Sequence, residues 1–230
     1  QIVEYASIIG AIKRAQRLSG KIMTVSGVVV AFRKKALVEV GLWDMDMITE
    51  DISISWKLQE KFWDIRYEPK ALCWMLAPET FKGIWKQRIR WAQGGQEVIL
   101  RHWKILPDIR HRRLWPIYIE QWMSLFWAYS WVFVTGYLVF HADALREILI
   151  WLTFASFVLV MLSMIQLLFS LFVDNKYDRV LKYFFFGAWY PSIYWLLNAV
   201  VVMFAFPKAI ASRIKGGDAV WQSPDRGFRK

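Results

Sequence analysis

Cysteine is almost absent from this sequence: Cys73 stands alone among 230 residues. One thiol excludes an internal disulfide framework and suits a cytosolic location for the part that carries it. Histidine is scarce too. His102, His111 and His141 have no metal-ligand spacing and are expected to be ordinary surface or interface residues. Acidic residues are in deficit, 19 against 30 Lys and Arg, which leaves a formal charge of +11. Internal repeats and low-complexity tracts are missing, so neither a repeat array nor a disordered linker is expected. An initiator Met and a signal-peptide pattern are missing as well. Gln1 lies inside a helical pattern, and the sequence is expected to be part of a longer protein.

Apolar material is abundant. Hydrophobic residues make up 57% of the chain, with 15 Trp and 16 Phe. That composition favours a membrane class. A basic excess fits either nucleic acid or an anionic membrane surface and anionic substrate. Three long uncharged runs decide for the membrane and against nucleic acid: Trp122–Phe140, Ile148–Val173 and Tyr183–Phe206, the last interrupted by Pro191. At about 1.5 Å per residue each can cross a hydrocarbon core of roughly 30 Å. Trp and Tyr gather near their ends, as interface belts do.

Basic residues precede the first run (Lys82, Lys86, Arg88, Arg90, Arg101, Lys104, Arg110, Arg112, Arg113), which puts the first half in the cytoplasm. The loop at 141–147 carries one Arg and is expected outside; 174–182 carries Lys176, Arg179 and Lys182 and is expected inside. Parity then sends the tail outward, although Pro207–Lys230 has six Lys or Arg against two Asp. Either the third run is partly re-entrant or the tail is an exception. The expected organisation is a cytoplasmic part at 1–113, a membrane part at 114–206 and a basic tail at 207–230.

Before the membrane runs the chain reads as mixed helix and strand. Ile2, Ala6, Ile9, Ile12 and Ala15 predict a helix ending near Gly20. Met23–Phe32 is rich in β-branched residues and predicts a buried strand, interrupted at Ser26-Gly27. A glycine there marks either a close backbone approach to a ligand or simple packing. Ala36–Val40 predicts a short helix stopped by Gly41. Thr49 can cap a helix from Glu50 to about Lys61. Ile52, Ile54, Trp56 and Leu58 alternate as a strand would, but length, capping and charge favour helix. Ile65–Tyr67 and Ala71–Leu76 predict strands. Phe81 to about Trp103 predicts a long amphipathic helix with a basic face suited to a membrane interface.

Two motifs carry chemistry. Thr49-Glu50-Asp51 offers adjacent carboxylates after a loop. Gln87, Arg90 and Trp91 fall at i, i+3 and i+4, on one helical face. A carboxylate can take a hydroxyl proton, a guanidinium can hold diphosphate oxygens, and an indole can stack on a pyranose. Each motif also has an ordinary explanation: acids are common in first turns, and Arg with Trp is common at headgroup level. Asp44-Met45-Asp46 has the form of a metal motif, but its place just before Thr49 reads better as a solvated loop.

Together, at this separation and followed by membrane runs, the motifs resemble the processive family-2 glycosyltransferases, which include cellulose, chitin, hyaluronan and poly-N-acetylglucosamine synthases. The stretches TVSGVVVAFRKKAL, DMITEDISISWKLQ, YEPKALCWMLAPET, WKQRIRWAQGGQEV and WQSPDRG look closest to the bacterial poly-β-1,6-N-acetylglucosamine branch. The resemblance implies the C-terminal part of an α/β GT-A glycosyltransferase domain, followed by an α-helical transmembrane bundle in a bacterial inner membrane. It implies inverting transfer from UDP-N-acetylglucosamine to a growing biofilm polysaccharide that leaves through the enzyme's own helices.

Carried over by residue, it implies Asp51 as general base and Glu50 as part of the acceptor pocket. Arg90 would stabilise the UDP leaving group, Gln87 would position donor or acceptor, and Trp91 would stack on the acceptor sugar. Ser26 and Gly27 would line the pocket. It further implies Mg²⁺ or a similar ion with ligands upstream of Gln1, and a small membrane partner with cyclic-di-GMP control. Hyaluronan, chitin or cellulose synthesis is the nearest alternative. A non-catalytic scaffold binding lipid or a cyclic dinucleotide is the alternative from another class.

Overall fold

Helix is the only regular structure among the described residues, which in this computed structural model are 2–6, 11–140, 145–187 and 189–220. In chain order the helices are α1 (Ile2–Tyr5), α2 (Lys13–Ser19), α3 (Lys34–Glu39), α4 (Glu50–Glu60), α5 (Phe81–Arg101), α6 (Trp115–Phe140), α7 (Leu145–Asp174), α8 (Phe184–Gly187) and α9 (Tyr190–Lys215). Short 3₁₀ turns stand at Trp103–Ile105, Ile109–His111 and Leu181–Tyr183. The chain divides into two units, residues 13–124 with 201–230 and residues 1–12 with 125–200.

In the first unit α4 is buried on both sides. Ile52 and Trp56 pack with Met47, Val98, Ile99, Ile105, Leu114, Ile117 and Tyr118. Ile54 and Leu58 pack on the other side with Ala36 and Val40. Each pair is i, i+4, so two apolar stripes run down one helix. That arrangement produces the period-two alternation in the sequence without a strand. The short helix before Gly41 forms as expected, and Gly41 takes the left-handed φ of 78° that ends it. α5 starts where Thr80 accepts a hydrogen bond from the Gly83 N–H at 3.1 Å.

The three expected strands do not form. From Ile22 to Val25 the backbone is bonded to helix side chains instead of to a neighbouring strand, mostly those of α4, with the Met23 N–H donating to Gln16 of α2 at 3.1 Å. Gln59 accepts from Ile22 N–H at 3.0 Å and donates to Ile22 C=O at 2.8 Å. Ser55 Oγ accepts from Val25 N–H at 2.9 Å, and the Trp56 indole donates to Met23 C=O at 3.0 Å. These residues have no ladder to join because a helix already satisfies them. The stretches Ile65–Tyr67 and Ala71–Leu76 are irregular, with Leu72, Trp74 and Leu76 exposed. A strand needs a partner for its backbone bonds, and none lies alongside among the described residues. His102 also departs from expectation. It is buried against Trp56, with Nδ1 2.7 Å from Glu60 Oε1.

In the second unit, Leu167 and Leu171 of α7 pack with Ala6 and Val180. Trp127 meets Trp195 edge-on, with centroids 5.7 Å apart. Along the chain as a whole, the segments Ser156–Asp174 and Ile193–Lys215 are long and apolar enough to cross a membrane. Pro191 falls in the first turn of α9, where no N–H is needed, and the helix continues through Pro207 to Lys215. The expected first run, Trp122–Phe140, lies within α6, which is rich in Trp and Tyr. The expected helix over 1–20 is helical at α1 and α2; Ile9 and His141 lie outside the described residues.

Candidate active site

The first turn of α4 carries Glu50 and Asp51. Thr49 precedes it as N-cap but makes no capping bond with its side chain. Asp51 Oδ1 instead accepts from the next residue, the Ile52 N–H, at 2.9 Å. Gly27 lies directly beside this carboxylate: a Cβ built on it would stand 3.5 Å from Asp51 Oδ2. The Gly27 backbone therefore approaches the Asp51 side chain closely. Glu50 is exposed, and Asp51 and Ser26 are partly buried.

Burial raises the Asp51 carboxyl above its ordinary range, and the neighbouring charge of Glu50 adds to this. The Ile52 N–H and the Lys13 ammonium pull the other way without cancelling it. Lys13, on α2, is itself lowered by burial, with Asp51 opposing that shift. A carboxylate with a raised pKa is a stronger base than a solvated one, which suits proton abstraction. Lys13 carried no signal in the sequence, because it reaches Asp51 only through the fold.

α5 brings the second motif. Gln87 and Arg88 are buried, and Arg90 and Trp91 are partly buried. Gln87 Oε1 has no hydrogen-bond partner among the described residues. The Arg88 guanidinium lies 4.9 Å from the centre of the Trp91 ring. Arg88, one of the basic residues that precede the first apolar run, is buried, and it holds the indole by cation–π attraction. Lys82 and Lys86 are exposed, as the expected basic face requires.

The two motifs approach each other through Gly94. A Cβ on Gly94 would lie 1.9 Å from Thr49 Oγ1 and 2.6 Å from Thr49 Cβ. Gln87, Trp91 and Gly94 share a face, with Gln87 roughly 10 Å from Gly94 along the axis. Thr49 thus stands one turn beyond Trp91.

Asp44 and Asp46 are engaged elsewhere. Asp44 is 2.8 Å from Lys57 Nζ and 3.1 Å from Arg101, and it accepts from Ser53 Oγ at 2.5 Å. Asp46 pairs with Arg101 as well. Burial pushes Asp44 up, but the bonds from Lys57 and Ser53 and the charges of Lys57 and Arg101 leave it below its ordinary value. These aspartates brace the loop before α4 through ion pairs, Asp44 partly buried and Asp46 exposed to solvent, and with their carboxylates so engaged they do not fit a divalent ion. No cluster of three or more His, Cys, Asp or Glu able to hold a metal occurs among the described residues.

A family model described as glycosyl transferase family group 2 matches residues 2–207. The chain is 48% identical over 233 residues to a poly-beta-1,6-N-acetyl-D-glucosamine synthase of Staphylococcus epidermidis, covering 99% of this chain and 56% of that protein. It is 47% identical, with the same coverage, to the protein of that name in Staphylococcus aureus strain COL. The chain thus spans about half the length of the curated relatives it matches. No solved structure matches it. The chain belongs to the group 2 family of glycosyl transferases.

Proposed function

We propose that this chain forms the acceptor side of a membrane-embedded inverting glycosyltransferase that polymerises N-acetylglucosamine from UDP-N-acetylglucosamine into a β-1,6-linked polysaccharide. The observation that carries it is the Asp51 carboxylate, raised by burial and lying beside Gly27, two residues after the Thr49 that packs on Gly94 one turn beyond Trp91. In this reading Asp51 takes the proton of the chain-end 6-hydroxyl as that oxygen attacks the anomeric carbon and UDP leaves. Arg90 stabilises the charge that develops on UDP. Trp91, backed by Arg88, presents its plane to the acceptor sugar. The buried Gln87 oxygen costs free energy until something pairs with it, and a sugar hydroxyl would.

The finer organisation belongs to the same proposal. It comprises a GT-A domain completed by chain outside these residues, three membrane spans, and a cytoplasmic catalytic face. The family's divalent ion would be held outside the described residues, since Asp44 and Asp46 are ion-paired. A small membrane subunit under cyclic-di-GMP control is a further expectation, tested by co-purification and by polymer yield on adding the dinucleotide.

The deciding experiment is Asp51→Asn in the full protein, assayed in membranes with UDP-N-acetylglucosamine. Loss of the base should lower turnover by ~10²–10⁴-fold while UDP binding stays. Turnover within a few-fold of wild type would remove Asp51 from the mechanism. A product made from UDP-glucose instead would favour the cellulose-type alternative.

A further inference from the structure

The sequence places two glycines, Gly94 and Gly95, inside a long helix, where glycine is a poor helix former. Their surroundings differ. A Cβ on Gly95 would find its nearest neighbours at 3.8 and 3.9 Å, Met23 Cε and Gln121 Oε1, which is ordinary contact. A Cβ on Gly94 would overlap three atoms of Thr49, at 1.9, 2.4 and 2.6 Å. Thr49 is 2% exposed, so it has nowhere to retreat. Its hydroxyl neither caps α4 nor finds another partner among the described residues. Thr49 is therefore held by shape rather than by a hydrogen bond.

One turn further along α5, the Glu97 carboxylate is buried and reaches the other side of the same turn. Glu97 Oε2 accepts from the Ile48 N–H at 3.5 Å, and Gln93 Nε2 donates to Glu97 Oε1 at 2.8 Å. The residues just before Asp51 are thus fixed by the half of α5 that follows the substrate-facing motif. One rigid helix carries Gln87, Arg90 and Trp91 at one end and the seat of the base at the other.

We infer that Gly94 is a positioning residue for the transfer reaction: by leaving no side chain, it lets Thr49 sit on α5 and so sets the distance between the Asp51 base and the Gln87–Trp91 face. This inference rests on the reaction proposed above. A methyl group at position 94 displaces Thr49, and Asp51 two residues on moves with it. Displacements of about 1 Å in catalytic groups lower rates by ~10²-fold. Donor affinity depends on other contacts and is left alone.

The test compares Gly94→Ala with Gly95→Ala in the full protein in native membranes, using UDP-N-acetylglucosamine and following polymer. Gly94→Ala should lose ~100-fold in kcat, with donor KM within about threefold and membrane abundance unchanged. Gly95→Ala should stay within about twofold of wild type, since its methyl meets only ordinary contacts. Adding Thr49→Gly to Gly94→Ala removes all three overlapping atoms and should restore about tenfold or more of the lost rate. Equal behaviour of the two alanine variants, no recovery in the double variant, or disappearance of Gly94→Ala from the membrane would each overturn the inference. Asp51→Asn is run alongside. If it retains turnover, the reaction itself is wrongly assigned. If it is inactive while Gly94→Ala turns over normally, only the positioning role falls.

Discussion

Gln59→Leu should detach the segment around Ile22 from α4 and cost more than its conservative size suggests. Gln59 is 1% exposed and Ile22 is 2% exposed. Its amide accepts from the Ile22 N–H and donates to the Ile22 carbonyl, at 3.0 and 2.8 Å. Leucine fills nearly the same volume, so cavity terms stay small. It leaves one buried backbone donor and one buried acceptor without partners. Each such group costs about 1–3 kcal/mol, giving roughly 2–6 kcal/mol in total. Against a domain stability of about 5–15 kcal/mol, that is a large fraction.

Ser55→Ala provides the scale. It strands the partly buried Val25 N–H, removes the hydroxyl's bond to the Asp51 carbonyl, and should cost about 1 kcal/mol. Thermal unfolding of the detergent-solubilised protein, with limited proteolysis mapped around residues 20–30, reads both effects. The order Gln59→Leu well above Ser55→Ala, with new cleavage before Gly27, is expected. A Gln59→Leu variant within about 1 kcal/mol of wild type would refute the claim that this amide replaces a strand partner.

The pH profile of kcat should follow the charges around Asp51. Glu50→Gln removes a group that raises the carboxyl, so the acid limb should move to lower pH; Lys13→Met removes one that lowers it, and the limb should move up. Stability has the opposite relation to Asp51. Its folded pKa lies above the ordinary 3.8, so the folded state holds the proton more tightly, and stability falls as pH rises from 3.8 through the raised value. Asp51→Asn does not titrate and should therefore unfold at a higher temperature than wild type at pH 7; a lower midpoint would contradict the buried, ionised base. Trp91→Ala should weaken the dependence on acceptor more than UDP binding, and Arg90→Lys should fail despite keeping its charge, because a point charge does not reproduce the planar fork. UDP affinity lost in Trp91→Ala with acceptor dependence intact would reverse those roles.

Local signals were enough for the helices. The Gly41 stop, the Thr80 cap, the acidic first turn at Glu50 and Asp51 and the apolar runs each act within a few residues, so α3, α4, α5 and the long apolar helices could be read directly. The Thr49 side chain, however, does not cap α4 as expected. Gln87, Arg90 and Trp91 share a face because helical geometry alone requires it. The strand expectations failed because β structure depends on a partner that sequence does not name. Residues 22–25 found side chains of α4 instead. The alternation at Ile52–Leu58, set aside in favour of helix, reflects burial on two sides, and burial is decided by what packs against the helix.

The motif residues were legible in the sequence, but their relation to one another was not. That Gly27 flanks Asp51 and that Lys13 shares its field depend on long-range packing, as does the burial of Arg88, whose contact with Trp91 three residues on is local to α5. The glycine pair at 94 and 95 was visible as an oddity in a helix, yet only the fold distinguishes the two. One faces open contact and the other faces Thr49. Sequence determines which groups are available and which helical face they share. Tertiary structure decides which of them meet, because steric exclusion and burial act between residues far apart in the chain.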